Sequence, residues 1–160
     1  MRSRRQTCVV VALVGLAAGT STMRMVEGVA KALAFSRQGS STTRAINGED
    51  PTTVPRITLE DFKKLHAVQG VLPIDVRTEL EFSGGRIPGA VNAPVADTSQ
   101  HVKTIRALAK GRPLVFYCSC PSEHSSAEAA LVLFKHGVTD VRALSGGYTE
   151  WVRSGGRIER

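Results

Sequence analysis

No internal repeat, no zinc-type cysteine spacing and no apolar run long enough to cross a membrane occur in this 160-residue chain. Its three cysteines and four histidines leave little for metal chemistry. Cys118, Cys120 and His124 supply only three ligands, and their spacing is not that of a zinc site. Aromatic residues hold 5% of positions and are not interleaved with Arg or Lys in a stripe. A nucleic-acid surface therefore has no support, although the formal charge is +7. The positive excess sits forward. Residues 1–55 hold seven Arg or Lys against three acids, whereas residues 56–160 hold fourteen against eleven.

What remains is ordinary for a folded domain: 42% hydrophobic and 22% charged residues, enough to build one core and leave a tail. Residues 1–35 read as a signal-peptide or membrane-anchor-like segment. Met1-Arg2-Ser3-Arg4-Arg5 is a positive start, residues 8–18 are apolar, and Ala17-Ala18-Gly19 offers a cleavage site. Cys8 lies inside the apolar run and is expected to be inert. Ser3-Arg4-Arg5 is a fragment of a twin-arginine signal. The segment is a cleaved leader, a retained anchor or the product of a misplaced start codon. The first two give a periplasmic or membrane-anchored protein, the third a cytoplasmic one. N-terminal sequencing of the host's own protein decides among them. Val26, Val29, Ala30, Leu33 and Ala34 share one face of a short helix, suited to export or to lying on a membrane. Residues 36–55, rich in Ser, Thr, Arg, Gly and Pro, read as a linker.

From residue 56 the pattern alternates. Thr58 is placed to cap a helix reaching about residue 67. Strands are expected at 72–76, 90–92, 114–117 and 141–143. Helices are expected at 99–110, at 125–136 with Gly137 as the stop, and at 148–153. Strand–helix alternation with apolar strands points to a parallel sheet covered on both faces. Functional sites in such sheets lie beyond the carboxyl ends of the strands.

One such end carries the chemistry. Val115-Phe116-Tyr117-Cys118-Ser119-Cys120-Pro121-Ser122-Glu123-His124-Ser125-Ser126-Ala127 reads as strand, polar loop and helix start. The first N–H groups of a helix lack internal partners and carry partial positive charge. A cysteine facing them is inclined to ionise, and the thiolate is the nucleophile. The opposing reading is a cysteine buried as a small hydrophobe, and for His124 an exposed first-turn residue.

Asp75-Val76-Arg77 at a strand end, Glu81-Phe82 followed by Gly85-Arg86-Ile87-Pro88-Gly89-Ala90, the aromatic-then-cysteine strand end, and Leu144-Ser145-Gly146-Gly147 followed by Trp151 occur in that order. With these pieces the segment from about Arg56 to Gly156 resembles the rhodanese-like domains. The resemblance implies an α/β, three-layer fold over residues 56–160. It also implies a sulfurtransferase that takes a sulfane sulfur onto cysteine as a persulfide and passes it to a thiol or cyanide acceptor. The implied partners are a small sulfur donor and a thiol acceptor. No cofactor is called for, and oligomeric state is left open.

Gap-free counting from the helix start selects Cys120 as the nucleophile, and counting along the strand selects Cys118. The strand anchor is the better one, and Pro121 removes an N–H from any cradle around Cys120. Ser119, Ser122, Glu123, His124 and Ser125 line the loop as substrate-binding candidates, with backbone N–H groups cradling the anionic sulfur. Asp75 and Arg77 are an ion-paired strand end in a supporting role. Arg86 replaces the His usual in the family and reads as scaffold. The glycines Gly146 and Gly147 form a turn packed beside the loop.

The loop departs from the family in running about two residues long and in carrying no Arg or Lys from Cys118 to Ala130. Glu123 there opposes a thiosulfate dianion, and without an Arg clamp a phosphatase or arsenate reductase is disfavoured. A non-catalytic module for partner binding or redox sensing is the alternative function. Cys120 is placed to resolve a persulfide, to protect Cys118, or to close a reversible disulfide with it.

Overall fold

A computed structural model describes residues 46–160. The leader, the short helix expected over residues 26–34 and the first half of the linker, residues 36–45, lie outside the described residues. Five strands, β1 (Arg56–Ile57), β2 (Leu72–Asp75), β3 (Val91–Asn92), β4 (Leu114–Tyr117) and β5 (Val141–Leu144), form one parallel sheet. Its order is β1-β5-β4-β2-β3. Four α-helices connect them, α1 (Leu59–Ala67), α2 (Glu79–Gly84), α3 (Thr98–Ala109) and α4 (His124–Lys135), and α5 (Gly147–Arg153) follows β5.

The period-two alternation of a strand sends successive side chains to opposite faces. In β4, Leu114 and Phe116 join Val102 and Ile105 of α3 and Ala130 and Leu133 of α4 in one core cluster. Val115 and Tyr117 join Phe62 and Leu65 of α1 and Trp151 of α5 in a second. The sheet is thus covered on both faces, which explains why β2 and β4 are buried at every position. This is the three-layer α/β architecture expected. Among the described residues no helix is long and apolar enough to cross a membrane.

Most expected elements occur within a residue or two. Thr58 caps α1 by accepting the Asp61 N–H at 3.1 Å. His136 ends α4, and Gly137 follows with φ +83°, a left-handed value that costs glycine little. Two elements lie outside the expectation. Strand β1 is two residues long, too short to show a period. Helix α2 is short and buries none of its residues. Its signal is the capping box, in which Thr78 Oγ1 accepts the Glu81 N–H and Glu81 accepts the Thr78 N–H at 3.1 Å. Residues 46–55 also differ from an unstructured linker. A single turn at Pro51–Thr53, capped by Asp50, lays Val54 into the α3–α4 core with 2% exposure, and Ile46 packs against the same core. One well-buried side chain anchors the stretch without any apolar period.

Candidate active site

Cys118 follows β4, the central strand of the five, at the carboxyl end of the sheet. It continues the alternation of Leu114 and Phe116 and is 4% exposed in the α3–α4 core, which also holds Ala127 from the first turn of α4. Cys120 is half-buried at the edge of that core. The two cysteines are joined in a disulfide, with Cα atoms 5.5 Å apart. Between them and α4 the chain makes a tight turn at Pro121–Glu123. Ser122 and Glu123 take left-handed conformations there, at φ +60° and +55°. Non-glycine residues adopt this region at a cost of about 1–2 kcal/mol each. These two residues absorb the extra length of the loop. The Ser126 hydroxyl steadies them by donating to the Glu123 carbonyl at 2.9 Å.

The carboxylate of Glu123 reaches away from the helix that follows it. It accepts the Gly146 N–H at 2.8 Å and lies 3.9 Å from the Arg56 guanidinium. A cation therefore does serve the loop, supplied by β1 some seventy residues upstream in sequence. Ser119, Ser122 and His124 are exposed and Ser125 is half-buried. His124 faces Glu128 at 3.8 Å, as a first-turn surface residue would.

Beside the loop lies a buried clamp. Asp75 is fully buried and holds Arg77 through Nη2–Oδ2 at 2.6 Å and Nε–Oδ1 at 3.0 Å. Arg77 also donates to the Gly85 carbonyl at 2.8 Å. Its guanidinium carbon sits 3.7 Å from the centre of the Tyr148 ring. Tyr148 in turn donates its backbone N–H to the Cys118 carbonyl at 2.9 Å. The strand-end pair thus reaches the cysteine through Tyr148, which the sequence motif did not disclose. Burial works against the Arg77 charge, but the hydrogen bonds and charge of Asp75 outweigh it and keep its pKa above the ordinary value. Removing one member of a buried pair strands the other. Arg77→Ala is expected to cost about 3–5 kcal/mol in urea unfolding. A loss below about 1 kcal/mol would mean that Asp75 is hydrated in the variant.

Tyr117 lies under the same clamp, its hydroxyl accepting the Ile87 N–H at 3.2 Å. Burial, and then the neighbouring Asp75 carboxylate, push its pKa well above the ordinary 10.0. The folded state therefore keeps a proton that the unfolded chain releases above pH 10. Stability should fall as pH rises beyond that point, by up to about 1.4 kcal/mol per pH unit. Tyr117→Phe should flatten this fall while lowering stability at neutral pH, read by unfolding at several pH values.

Arg86, read as scaffold, ties the loop before β3 to the C-terminal segment. Its backbone pairs antiparallel with Glu159 at 2.9 and 3.0 Å, and its side chain meets the Glu159 carboxylate at 3.3 Å.

Residues 58–154 match the model of the rhodanese-like domain. The chain belongs to the rhodanese-like domain family. Over 86 residues, 54% of this chain and 62% of the relative, it is 38% identical to the uncharacterized protein YqhL of Bacillus subtilis. The chain thus spans less than two thirds of that relative. Over 95 residues, 58% of this chain and 82% of the relative, it is 34% identical to a sulfurtransferase of Allochromatium vinosum. Among solved structures, a human single-domain sulfurtransferase is similar with a TM-score of 0.53 and 28% identity. That likeness covers 62% of this chain and 96% of that one. Within the rhodanese-like domain, Cys118 and Cys120 come together, with Ser119 between them, Ser122 and Glu123 on the turn that follows, and His124 and Ser125 in the first turn of α4. Asp75 and Arg77 stand behind it. Arg56, Tyr117 and Tyr148 are the neighbours that sequence reasoning missed. Tyr117 and Tyr148 stand inside motif pieces, but each of the three acts through a partner remote in the chain, which no local motif marks.

Proposed function

We propose that this rhodanese-like domain is a sulfurtransferase with Cys118 as its nucleophile. The observation that carries the reading is the placement of Cys118, which ends the central strand and opens a loop leading to the N-terminus of α4. In the reduced protein the Cys118 thiolate attacks the sulfane sulfur of a donor, and the donor's remaining fragment leaves with the electron pair. The persulfide anion is stabilised by backbone N–H groups of residues 119–125 other than Pro121 and by the α4 dipole. An acceptor thiol or cyanide then removes the outer sulfur.

Charge favours a particular donor. Glu123 is an anion in the loop, and its closest cation, Arg56, is 3.9 Å away and shared with backbone carbonyls. A thiosulfate dianion is repelled there, whereas a low-molecular-weight persulfide, whose reacting group carries at most one charge, is repelled less. The test loads reduced protein with thiosulfate and, separately, with glutathione persulfide, and locates the added sulfur by peptide mass spectrometry. Faster loading of Cys118 by the persulfide is expected. Glu123→Gln should raise the thiosulfate rate roughly fivefold, the effect of about 1 kcal/mol of charge repulsion. The disulfide between Cys118 and Cys120 favours a second reading, a redox-sensing module. Reduced protein that takes up sulfur from neither donor and releases no sulfide would select it.

A further inference from the structure

The sulfur chemistry above uses one thiol, yet the fold brings two together. We propose that Cys120 is a resolving cysteine, and that the domain releases its transferred sulfur as hydrosulfide by an internal step. The inference rests on the reading of Cys118 as the sulfur carrier. In the step, the Cys120 thiolate attacks Sγ of the Cys118 persulfide. A Cys118–Cys120 bond forms, and the bond from Cys118 Sγ to the outer sulfur breaks. The outer sulfur departs with the electron pair and takes up a proton. That sulfur is reduced to the sulfide level, while the two cysteine sulfurs are oxidised to a disulfide.

Three observations carry this assignment. The disulfide joins the Sγ atoms of the two residues directly, so Cys120 reaches the inner sulfur of a persulfide held on Cys118. Second, the two thiols differ in access. Cys118 is 4% exposed, while Cys120 sits half-buried at the core edge. An incoming acceptor thiol therefore meets Cys120 Sγ more readily. Third, the direction of reopening follows from what each sulfur becomes as a leaving group. Attack on Cys120 Sγ expels Cys118 as a thiolate beside the first turn of α4, and the better-stabilised thiolate leaves faster. A second external thiol then clears the mixed disulfide from Cys120. The net reaction consumes one sulfane sulfur and two thiols and yields hydrosulfide and one external disulfide. The disulfide is thus an intermediate of turnover, and the nucleophile emerges reduced from each cycle.

The test uses the full chain, reduced and freed of reductant, with one equivalent of glutathione persulfide and no added acceptor. Sulfide is trapped with a bimane reagent, and the cysteine peptides are weighed. The wild type should release close to one sulfide per chain and finish with Cys118 and Cys120 joined. Cys120→Ser should retain one added sulfur on Cys118 and release less than about a tenth as much sulfide until thiol is supplied. Equal release by Cys120→Ser and the wild type would assign the sulfide to the glutathione set free by the donor, overturning the proposal. A wild type that keeps the added sulfur on Cys118 with Cys120 free would also overturn it, leaving the sulfurtransferase reading intact. If Cys118 takes up no sulfur and no sulfide appears, the sulfurtransferase reading itself fails and the resolving role falls with it.

Discussion

Cys118→Ser is expected to abolish sulfur transfer, with a loss on the order of a thousandfold or more. A serine hydroxyl does not ionise near neutral pH, so neither the helix terminus nor the loop N–H groups have an anion to stabilise. The fold should survive. Serine is close in size, and the site lies at the end of β4, where a hydroxyl can pair with loop backbone. A stability change of about 1 kcal/mol is expected. Sulfur transfer from a persulfide donor to cyanide, together with the urea midpoint, checks both halves. Undiminished transfer in Cys118→Ser, with loss in Cys120→Ser, would move the nucleophile to Cys120.

The second large effect falls on a residue with no side chain. Gly147 has φ +53°, and a Cβ built there would lie 2.2 Å from the Cys118 carbonyl oxygen and 3.2 Å from its carbon. Both atoms are backbone and cannot swing aside as a side chain would. The same carbonyl accepts the Tyr148 N–H, so a displaced loop also loses its tie to the Arg77 clamp. Gly147→Val should cost more than about 3 kcal/mol, a large part of the 5–15 kcal/mol that holds a typical domain folded. Any protein that does fold should transfer sulfur poorly. Gly89→Ala supplies the comparison, since Gly89 has φ +72° but nothing within 4 Å of a built Cβ. Its cost should be only the left-handed backbone term of about 1–2 kcal/mol. Equal urea midpoints for the two variants would show that the close approach to Cys118 carries no weight.

The contrast between these residues indicates what a reader of the sequence can and cannot see. Strands β2 and β4 are legible as apolar runs because the sheet is covered on both faces. Helices α1 and α4 are legible from Thr58 at one start and Gly137 beyond one end. The cysteine loop is legible because its chemistry is local. The pairing of Glu123 with Gly146 and Arg56 is not, since it joins segments far apart in sequence. The same holds for the stacking of Arg77 on Tyr148, although Asp75 and Arg77 themselves stand out as a motif. Helix α2 escaped because an element that buries nothing leaves no hydrophobic period. Val54 escaped because one anchored residue among Thr and Pro looks like linker.

The position of β4 between β2 and β5 has a consequence for how the molecule opens. Amides of a strand paired on both sides exchange with solvent mainly through global unfolding, whereas a surface loop opens at little cost. Cys118 is attached to the first kind of segment and Cys120 to the second. Breaking and remaking their bond therefore asks only the loop to move. In hydrogen-exchange measurements on oxidised and reduced protein, Leu114 to Tyr117 should keep the same slow rates. The amides of residues 119–126 should quicken on reduction. The rhodanese-like domain would then cycle its sulfur chemistry on a slowly opening strand of the sheet, with the cost of each cycle confined to one short loop.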